Sequence, residues 1–285
     1  MGTAATGVAA RANLSGDTGP SNKAAGTATR AARSRILRNV ATHSMAIQAG
    51  SQAAAGVAGD ADARPVILRA EGLGKQVSSP EGPLTILADV SLAIRRGESV
   101  ALMGPSGAGK TTLLALLAGL DRPTSGRIWL GNDELTALDE DGRARLRARR
   151  VGFVFQSFHL VQSLTALENV MLPLELAGES GAEAHARATL EQVGLKARVH
   201  HYPRQLSGGE QQRVAIARAF VTGPEVLFAD EPTGNLDNAT GDKISQLLFD
   251  LNARTQTTLV LVTHERDLAA RCDRVLTVVG GRLAA

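Results

Sequence analysis

The chain has 285 residues, 44% of them apolar, which suits one sizeable core and excludes a fibrous or wholly disordered protein. Its single cysteine, Cys272, excludes an internal disulfide and a thiolate zinc site, fits a reducing compartment and is expected to pack in the core. No apolar run approaches the roughly 18 residues that a membrane span needs, so any work at a membrane requires other chains to cross it.

The net charge of +3 originates in the first 64 residues, which hold seven basic and three acidic residues. The remaining chain holds 24 basic and 25 acidic residues, so it carries no charge footprint for nucleic acid, and we expect no nucleic-acid partner. Residues 1–64 are rich in Ala, Gly, Ser and Thr and contain no aromatic residue, which predicts a disordered extension. This extension superficially resembles a transit peptide, but a mispredicted start codon or a species-specific tail explains it at least as well.

Short strands open the predicted folded domain, residues 65–285. The stretches VILRAEGL and TILADVSLAIRRGESVALM alternate apolar and polar residues, as half-buried antiparallel strands do. Further on, LLALLA at 113–118 is apolar on every side, which predicts a buried helix that Gly119 ends.

A glycine-rich segment, GPSGAGKT at 104–111, lies between the strand-like ESVALM and the helix TTLLALLAG. Its glycines permit several backbone N–H groups to converge on phosphate oxygens, helped by the helix N-terminus. Lys110 would reach the β- and γ-phosphates, and Thr111 would coordinate Mg²⁺. A glycine-rich turn without a ligand is the alternative, which the flanking strand and helix disfavour. The predicted nucleotide-binding residues of this loop are Gly104, Pro105, Ser106, Gly107, Ala108, Gly109, Lys110, Thr111 and Thr112.

Residues from about 157 to 223 contain no convincing strand, which predicts a helical insertion. Ser180 and Glu183 have the spacing of a capping box ahead of a helix through Leu190. Later in this insertion, LSGGEQQRVAIARA places a serine and two glycines before an amphipathic helix. Inward packing of that helix would aim its positive end and an open Ser207 hydroxyl at an anion outside the subunit. The four residues predicted to pack inward are Val214, Ile216, Ala217 and Phe220.

Two short apolar runs, VLFA at 226–229 and TLVLV at 258–262, are typical of parallel strands covered on both faces. KISQLLFDL between them repeats Ile244, Leu247, Leu248 and Leu251 at helical spacing. Asp230 and Glu231 follow the first run, at the sheet edge where ligands bind in open α/β folds. Asp230 fits a Mg²⁺-associated acid and Glu231 fits the residue that activates water, whereas a lone Asp-Glu pair would indicate a solvated turn.

Six motifs, taken in order over roughly residues 66–283, resemble the ATP-binding subunits of ABC transporters. They are GPSGAGKT as Walker A, VFQSF with Gln156 as the Q-loop, LSGGEQ as the signature, VLFADE as Walker B, GNLD as the D-loop, and LVTHE with His264 as the H-loop. The stretches VGFVFQSFHLVQSLTALENVMLP and FADEPTGNLD are similar to the lipoprotein-releasing, macrolide-export and cell-division branch, above all to its YbbA-type members. The implied fold is α/β, a P-loop NTPase core with a mostly parallel sheet, an N-terminal antiparallel β subdomain and an inserted helical subdomain.

The resemblance implies ATP hydrolysis by in-line attack of water in a head-to-tail dimer of two ATPase subunits. The signature residues Ser207, Gly208 and Gly209 of one copy would cover the nucleotide in the P-loop of the other. The implied Mg²⁺ ligands are Thr111, Gln156 and Asp230. The implied roles are charge neutralisation for Lys110, handling of the water for Glu231, γ-phosphate binding for His264, sensing of Mg²⁺ and coupling for Gln156, and the dimer seam for Asp237. An isolated histidine at a strand end would instead make a structural hydrogen bond, and Asp237 could merely cap the next helix.

Val77 marks one departure from the family, since many relatives carry an aromatic residue after the first strand to stack on adenine. With Val77 in GLGKQVSS, we expect apolar contact with the base, weaker base discrimination and some acceptance of GTP.

The resemblance favours a transporter motor that drives an integral membrane permease subunit from the cytoplasmic face of the inner membrane, for export or for periplasmic mechanical work. A soluble ABC-type ATPase acting on DNA or ribosomes is the main alternative, although one cysteine and a single P-loop argue against the known kinds. A nucleotide-binding regulator without turnover is a third, which the presence of Glu231 and His264 opposes.

Overall fold

The computed structural model describes residues 64–80 and 82–284, which lie in one compact unit spanning Asp62–Ala285. The predicted extension, residues 1–64, lies outside the described residues except for Arg64. The strands are β1 Val66–Ser79, β2 Gly82–Arg95, β3 Ser99–Met103, β4 Ser125–Leu130, β5 Asp133–Glu134, β6 Val151–Phe155, β7 Val226–Asp230, β8 Thr258–Val262, β9 Arg274–Val279 and β10 Arg282–Leu283. The α-helices are α1 Lys110–Leu117, α2 Glu140–Arg150, α3 Ala166–Leu176, α4 Ala182–Gln192, α5 Gly208–Phe220, α6 Asn238–Thr255 and α7 Arg266–Ala269.

A six-stranded sheet forms the centre of the domain, in the order β10-β9-β3-β8-β7-β6. Its strands are parallel except for the β9–β10 pair. Along β7, Val226 and Phe228 face one hydrophobic cluster and Leu227 and Ala229 face another, because successive side chains point to opposite faces. Both faces are therefore covered, which explains why these strands are apolar throughout and confirms the predicted parallel core.

The second sheet is antiparallel, with four strands in the order β2-β1-β4-β5. It confirms the predicted antiparallel subdomain but corrects its extent in two respects. The prediction assigned SVALM to an antiparallel strand, yet this segment is β3, buried over most of its length and parallel to β8 and β9. Conversely, β4 and β5 follow the P-loop helix in sequence, and β4 pairs back onto β1 while β5 pairs with β4, so the subdomain does not simply precede the core.

Helices α3 to α5 lie within the range predicted for the helical insertion. Helix α4 begins after Gly181, which has a left-handed backbone and gives no side-chain cap, so the predicted capping box of Ser180 and Glu183 is wrong. Glu183 instead pairs with Arg187 one turn along the helix. The neighbouring helix α3 does have a capping box, made by Thr165 and Glu168. No helix in the described ranges is long and apolar enough to cross a membrane.

The apolar helices behave as their patterns predict. In α1, Leu113, Leu114, Leu116 and Leu117 are buried, and Gly119 adopts φ 68° just beyond the helix end. In α6, Ile244, Leu248 and Leu251 are buried and Leu247 is partly buried. Cys272 is half-buried against the same cluster, and burial raises the pKa of its thiol to about 12, which fits a packing role.

Candidate active site

The P-loop connects β3 to α1, and two of its glycines are required by space. Gly104 has φ 145°, and a Cβ there would collide with the backbone carbonyl of Val278. Gly109 has φ 97°, and its Cβ would lie 2.9 Å from Leu87 and 3.1 Å from the Ile86 carbonyl. Any side chain at either position would displace the loop from the neighbouring strands. The positive φ at both glycines fits the prediction that they permit backbone conformations closed to other residues, while phosphate binding stays a prediction.

Lys110 is folded over its own loop. Its Nζ donates to the carbonyl of Gly104 at 2.9 Å and to that of Pro105 at 3.0 Å, and the residue is only 9% exposed. These two hydrogen bonds hold the ammonium group against the loop. A triphosphate that bound to the loop would meet this charge without a large movement of the side chain.

Asp230 ends β7 beside the start of α1. Burial raises the pKa of this carboxyl, and the nearby charge of Glu231 raises it further, while a hydrogen bond with Thr111 and the charge of Lys110 oppose the rise. The structure thus brings together four of the predicted residues from two distant segments. A cavity of about 350 Å³ next to them is lined by P-loop residues, Ile86 and Glu231.

Glu231 has an unusual backbone, with φ 45° in the left-handed region that non-glycine residues rarely occupy. Its N–H donates to the Val262 carbonyl at 2.9 Å, and its own carbonyl accepts from Gly234 at 3.0 Å. His264 Nδ1 lies 3.3 Å from its Oε1. The predicted γ-phosphate ligand and the predicted water-activating acid are therefore neighbours at the ends of adjacent strands.

Gln156 is tied to the D-loop. Its Nε2 donates to Asn235 Oδ1 at 3.2 Å, and Asn235 Nδ2 donates back to the Gln156 backbone carbonyl at 3.0 Å. A Cβ on Gly234 would lie 2.8 Å from the Gln156 amide nitrogen, so the glycine of GNLD is needed for this approach. Asp237, at the end of the same motif, caps α6 by accepting from the Thr240 N–H at 3.0 Å. The capping alternative for Asp237 is thereby observed.

The signature loop lies at the start of α5, and the four residues predicted to pack inward are all buried. The expectation of an open serine hydroxyl is wrong for this state, because Ser207 is engaged in a capping box. Its Oγ lies 2.9 Å from Glu210 Oε2 and accepts from the Glu210 N–H at 3.3 Å. The residue itself is exposed, so the loop is accessible although the hydroxyl is paired.

Sequence reasoning missed a buried and a half-buried polar residue on the helix behind this loop. Gln212 is fully buried and donates to the Pro232 carbonyl at 2.6 Å. Arg218 donates to the carbonyls of Phe158 and His159, at 2.9 and 2.6 Å, just after the Q-loop glutamine. Phe158 and His159 both have positive φ, and burial lowers the pKa of the Arg218 guanidinium. In the sequence, Gln212 and Arg218 could have been noticed as polar residues on an otherwise apolar face of the helix.

Val77 lies on the exposed end of the β1–β2 hairpin, where it pairs with Leu84. The two side chains are 40% and 52% exposed. The hairpin continues to Ile86, which lines the P-loop cavity. The hairpin therefore provides an apolar edge formed by Val77, Leu84 and Ile86, and none of these residues is aromatic.

Comparison with known proteins identifies the family of the chain. The model of the ABC transporter family matches residues 87–234. The ABC transporter ATP-binding protein YbbA of Escherichia coli (strain K12) is 58% identical over 219 residues, 76% of this chain and 96% of that protein. The lipoprotein-releasing system ATP-binding protein LolD of Legionella pneumophila (strain Lens) is 50% identical over 222 residues, 77% of this chain and 98% of that protein.

Solved structures give the same result. The ATP-binding cassette MJ0796, in a dimeric post-hydrolysis state bound to ADP and Pi, matches with a TM-score of 0.71 and 40% identity, over 76% of this chain and 97% of that chain. The predicted α/β P-loop NTPase fold is confirmed by this likeness, and the predicted lipoprotein-release branch by the YbbA and LolD relatives. The chain belongs to the ABC transporter family, as an ATP-binding subunit that hydrolyses ATP.

Proposed function

We propose that the chain is the motor of a membrane complex, in which two copies close head to tail on ATP and drive a separate integral membrane subunit. The observation that carries this proposal is the pair of loops. P-loop residues line one cavity together with Glu231, and the signature loop has an exposed serine at the positive end of a second helix. We infer that this second helix end meets the phosphates bound by another copy.

Mg²⁺ fits the residues of the site. The Thr111 hydroxyl and the Asp230 carboxylate are neighbours, and both offer the oxygen ligands that this ion prefers. Burial raises the pKa of Asp230. A bound cation would act in the opposite direction, because a nearby positive charge favours the charged form of the carboxylate. With Gln156 as the third candidate, these residues would hold the ion, which would neutralise charge on the β- and γ-phosphates.

Hydrolysis would then depend on positioning and charge. Lys110 would leave the loop carbonyls for the phosphate oxygens, and Glu231 would accept hydrogen bonds from the attacking water and orient it. His264, 3.3 Å from Glu231, would bind the γ-phosphate. Ser207 of the second copy would exchange its bond with Glu210 for a phosphate oxygen.

A larger cleft supports the proposed position of the interface between the two copies. It has a volume of about 630 Å³, and its lining includes Asp237 and His264. These residues belong to the D-loop and the H-loop, the two segments that a head-to-tail partner would cover. We infer that the second copy contributes the opposite wall.

The helical insertion is proposed to dock on the membrane subunit, at the cytoplasmic face of the inner membrane. Leu176 at the end of α3 is 78% exposed, and Val161 before α3 is 40% exposed, so apolar surface is available there. Asn169, on α3, fixes the loop before this helix with hydrogen bonds to Val161, Leu164 and Thr165. The LolD relatives are named for a lipoprotein-releasing system, which favours export or mechanical work on the periplasmic side.

The test is Glu231→Gln. We expect this variant to bind ATP, to accumulate as a dimer in ATP by size-exclusion chromatography, and to hydrolyse very slowly. Wild type without nucleotide is the control for the dimer. A Glu231→Gln protein with full ATPase activity would remove Glu231 from its proposed role, and one that remains monomeric in ATP would contradict the shared site. Recovery of a co-purified membrane protein tests the partner.

A further inference from the structure

The helix behind the signature loop carries a buried glutamine that the roles proposed above do not use. Gln212 lies in α5, five residues after the Ser207 cap, and none of its surface is exposed. Five helical residues span about 7.5 Å. Its Nε2 donates a 2.6 Å hydrogen bond to the backbone carbonyl of Pro232. Gln212 therefore joins the exposed loop to the residue directly after Glu231.

Stability does not account for this glutamine. Because a carbonyl can only accept, the amide NH₂ must face Pro232, which turns Oε1 the other way. This Oε1 is buried, and no group in the described part of the chain donates to it. A buried acceptor without a donor is unfavourable, so the cost of Oε1 opposes the gain from the Nε2 bond. A buried polar side chain that brings little net stability points to another role.

The bond ends next to a strained residue. Glu231 holds φ 45°, a conformation that persists only where its surroundings impose it. The N–H of Glu231 is hydrogen-bonded to the Val262 carbonyl of β8, and its carbonyl accepts from Gly234 in the turn. Gln212 adds a hydrogen bond from α5 to the next residue, Pro232. Because the ring of Pro232 fixes its φ, displacement of its carbonyl is passed stiffly to the peptide that follows Glu231.

We propose that Gln212 is a positioning residue that couples the signature loop to the Glu231 carboxylate of the same subunit. When Ser207 engages the nucleotide of a second copy, α5 moves as a rigid body and Gln212 carries the Pro232 carbonyl with it. Glu231 is then aligned on its own water only when the other site is occupied. Hydrolysis at one site therefore senses ATP at its neighbour. This inference rests on the proposed roles of Ser207 and Glu231.

Gln212→Met in the full chain tests the coupling. Methionine removes the unpaired Oε1 but leaves the Pro232 carbonyl unpaired, so the number of unpaired buried acceptors stays the same. We expect the Tm to change by less than about 4 °C. ATP binding should stay within about twofold of wild type, while kcat falls about 10- to 100-fold, as for a misplaced catalytic group. The dependence of rate on ATP concentration should lose its cooperativity.

The matched control is Gln246→Met on α6, outside the six motifs. The Gln246 amide donates to Asp250 at 2.7 Å and accepts from Arg271 at 2.9 Å, so this variant also removes side-chain hydrogen bonds of a helical glutamine. We expect its kcat and cooperativity to match wild type. An equal loss in both variants would overturn the proposal, as would a Gln212→Met protein with unchanged kcat or cooperativity.

A second measurement separates positioning from folding. In the Glu231→Gln background, Gln212→Met should still form the ATP-dependent dimer, because the signature loop itself is intact. Loss of that dimer would make Gln212 a structural residue and would overturn the inference. The two proposals fail differently. Full activity of Glu231→Gln alone removes the proposed role of Glu231, whereas a slow Glu231→Gln with a normal Gln212→Met removes only the coupling.

Discussion

The two glycine loops differ in where their polar groups are directed. In the P-loop, Lys110 bonds to two carbonyls of the loop itself, and Thr111 reaches Asp230 on the neighbouring strand. In the signature loop, Ser207 is exposed, and its hydroxyl and N–H groups bond to Glu210, three residues along the chain. Both loops present a helix N-terminus, but only the first has carboxylates from the sheet beside it.

The difference teaches that a phosphate loop is defined by its neighbours more than by its glycines. The carboxyl ends of β7 and β8 supply acids and a histidine to the P-loop. Behind the signature loop, Gln212 instead donates to Pro232 in the turn after β7, and the apolar face of α5 is buried. This arrangement suits the P-loop to binding and hydrolysing the nucleotide of its own subunit. It suits the signature loop to contacting the nucleotide of a second copy and to transmitting that contact to Glu231.

The largest expected effects separate binding from closure. Lys110→Ala should lose both ATP binding and hydrolysis, whereas Ser207→Arg should keep ATP binding within about twofold and lose hydrolysis by about 10²- to 10³-fold. The reason is that Lys110 serves its own nucleotide, while Ser207 serves that of the second copy. Equilibrium ATP binding and steady-state phosphate release measure the two quantities.

Ser207→Thr is the control for the helix cap, since threonine can keep the bond to Glu210 and should retain most activity. A mixture of Lys110→Ala and Ser207→Arg should form an ATP-dependent mixed dimer, because one of its two sites has an intact P-loop and an intact signature. Its hydrolysis should stay low if Gln212 couples the two loops, because the Glu231 at that site belongs to the copy whose own signature is blocked. A Ser207→Arg protein that hydrolyses ATP at the wild-type rate as a monomer would end the shared-site comparison.

Asp230→Asn sharpens the comparison at the P-loop. Its Mg²⁺ affinity should fall about 10- to 100-fold, while the nucleotide-free protein should gain about 1 kcal/mol in free energy of unfolding at neutral pH. Burial raises the folded-state pKa of Asp230, so the folded protein binds the proton more tightly than the unfolded chain does. The penalty is present at pH values above that raised pKa and diminishes as the pH falls through it toward the ordinary value.

Urea denaturation of both proteins between pH 4 and 8 checks the sign, with the two free energies expected to converge at the acidic end. Ser245→Ala, a buried position on α6, controls for a general effect of substitution. An asparagine variant less stable than wild type at neutral pH would show that the carboxylate is structural.

Much of the fold was predictable because its signals are local. Apolar runs such as TLVLV predict buried parallel strands, and α1 is apolar on every side. The position of β4 was not predictable, because SGRIWL becomes an antiparallel strand only by pairing with β1 about 60 residues earlier. The prediction for SVALM was wrong for a similar reason. The alternation of apolar and polar residues that runs through the preceding strand suggested an antiparallel pair, but SVALM is buried on both faces and lies in the parallel sheet.

The site shows the same division. The motif residues were predictable, since loop, strand and helix signals coincide around Lys110 and Asp230. The connections between motifs were not, because the Gln212–Pro232 and Gln156–Asn235 bonds depend on how α5 and the Q-loop pack against the segment after β7. Nothing in the local sequence around Gln212 specifies which carbonyl it will meet.

Glu210→Gln tests the signature side with a smaller effect. The hydrogen bond from the Ser207 backbone, followed by those of its hydroxyl and Arg198, lowers the pKa of the Glu210 carboxyl below its ordinary value. The stability that this charged cap contributes is therefore present above the ordinary carboxyl pKa and is lost as the pH falls through the lowered value. At neutral pH, removal of the charge should strengthen the ATP-dependent dimer about threefold, because a carboxylate near the facing triphosphate repels it.

Sedimentation in the Glu231→Gln background measures this dimer at two salt concentrations. The gain should shrink at high salt, and Glu191→Gln, which removes an exposed ion pair with Lys196 elsewhere on the insertion, should leave the dimer unchanged. An identical gain from both substitutions would assign the effect to net charge rather than to the signature loop.

The smallest expected effect concerns the base. Val77 and Leu84 provide an exposed apolar edge on the hairpin that leads to Ile86 and the P-loop cavity. Such an edge offers contact area but no hydrogen bonds, so ATP and GTP should bind with affinities within about tenfold of each other. Val77→Tyr should improve ATP affinity by about twofold, the low end for ring stacking, because the position is exposed, while kcat stays unchanged because the phosphates do not move. Val66→Tyr, at the start of the same strand and also exposed, is the control. Equilibrium competition with both nucleotides decides the matter, and a preference of wild type for ATP by several hundredfold would mean that other groups recognise the base.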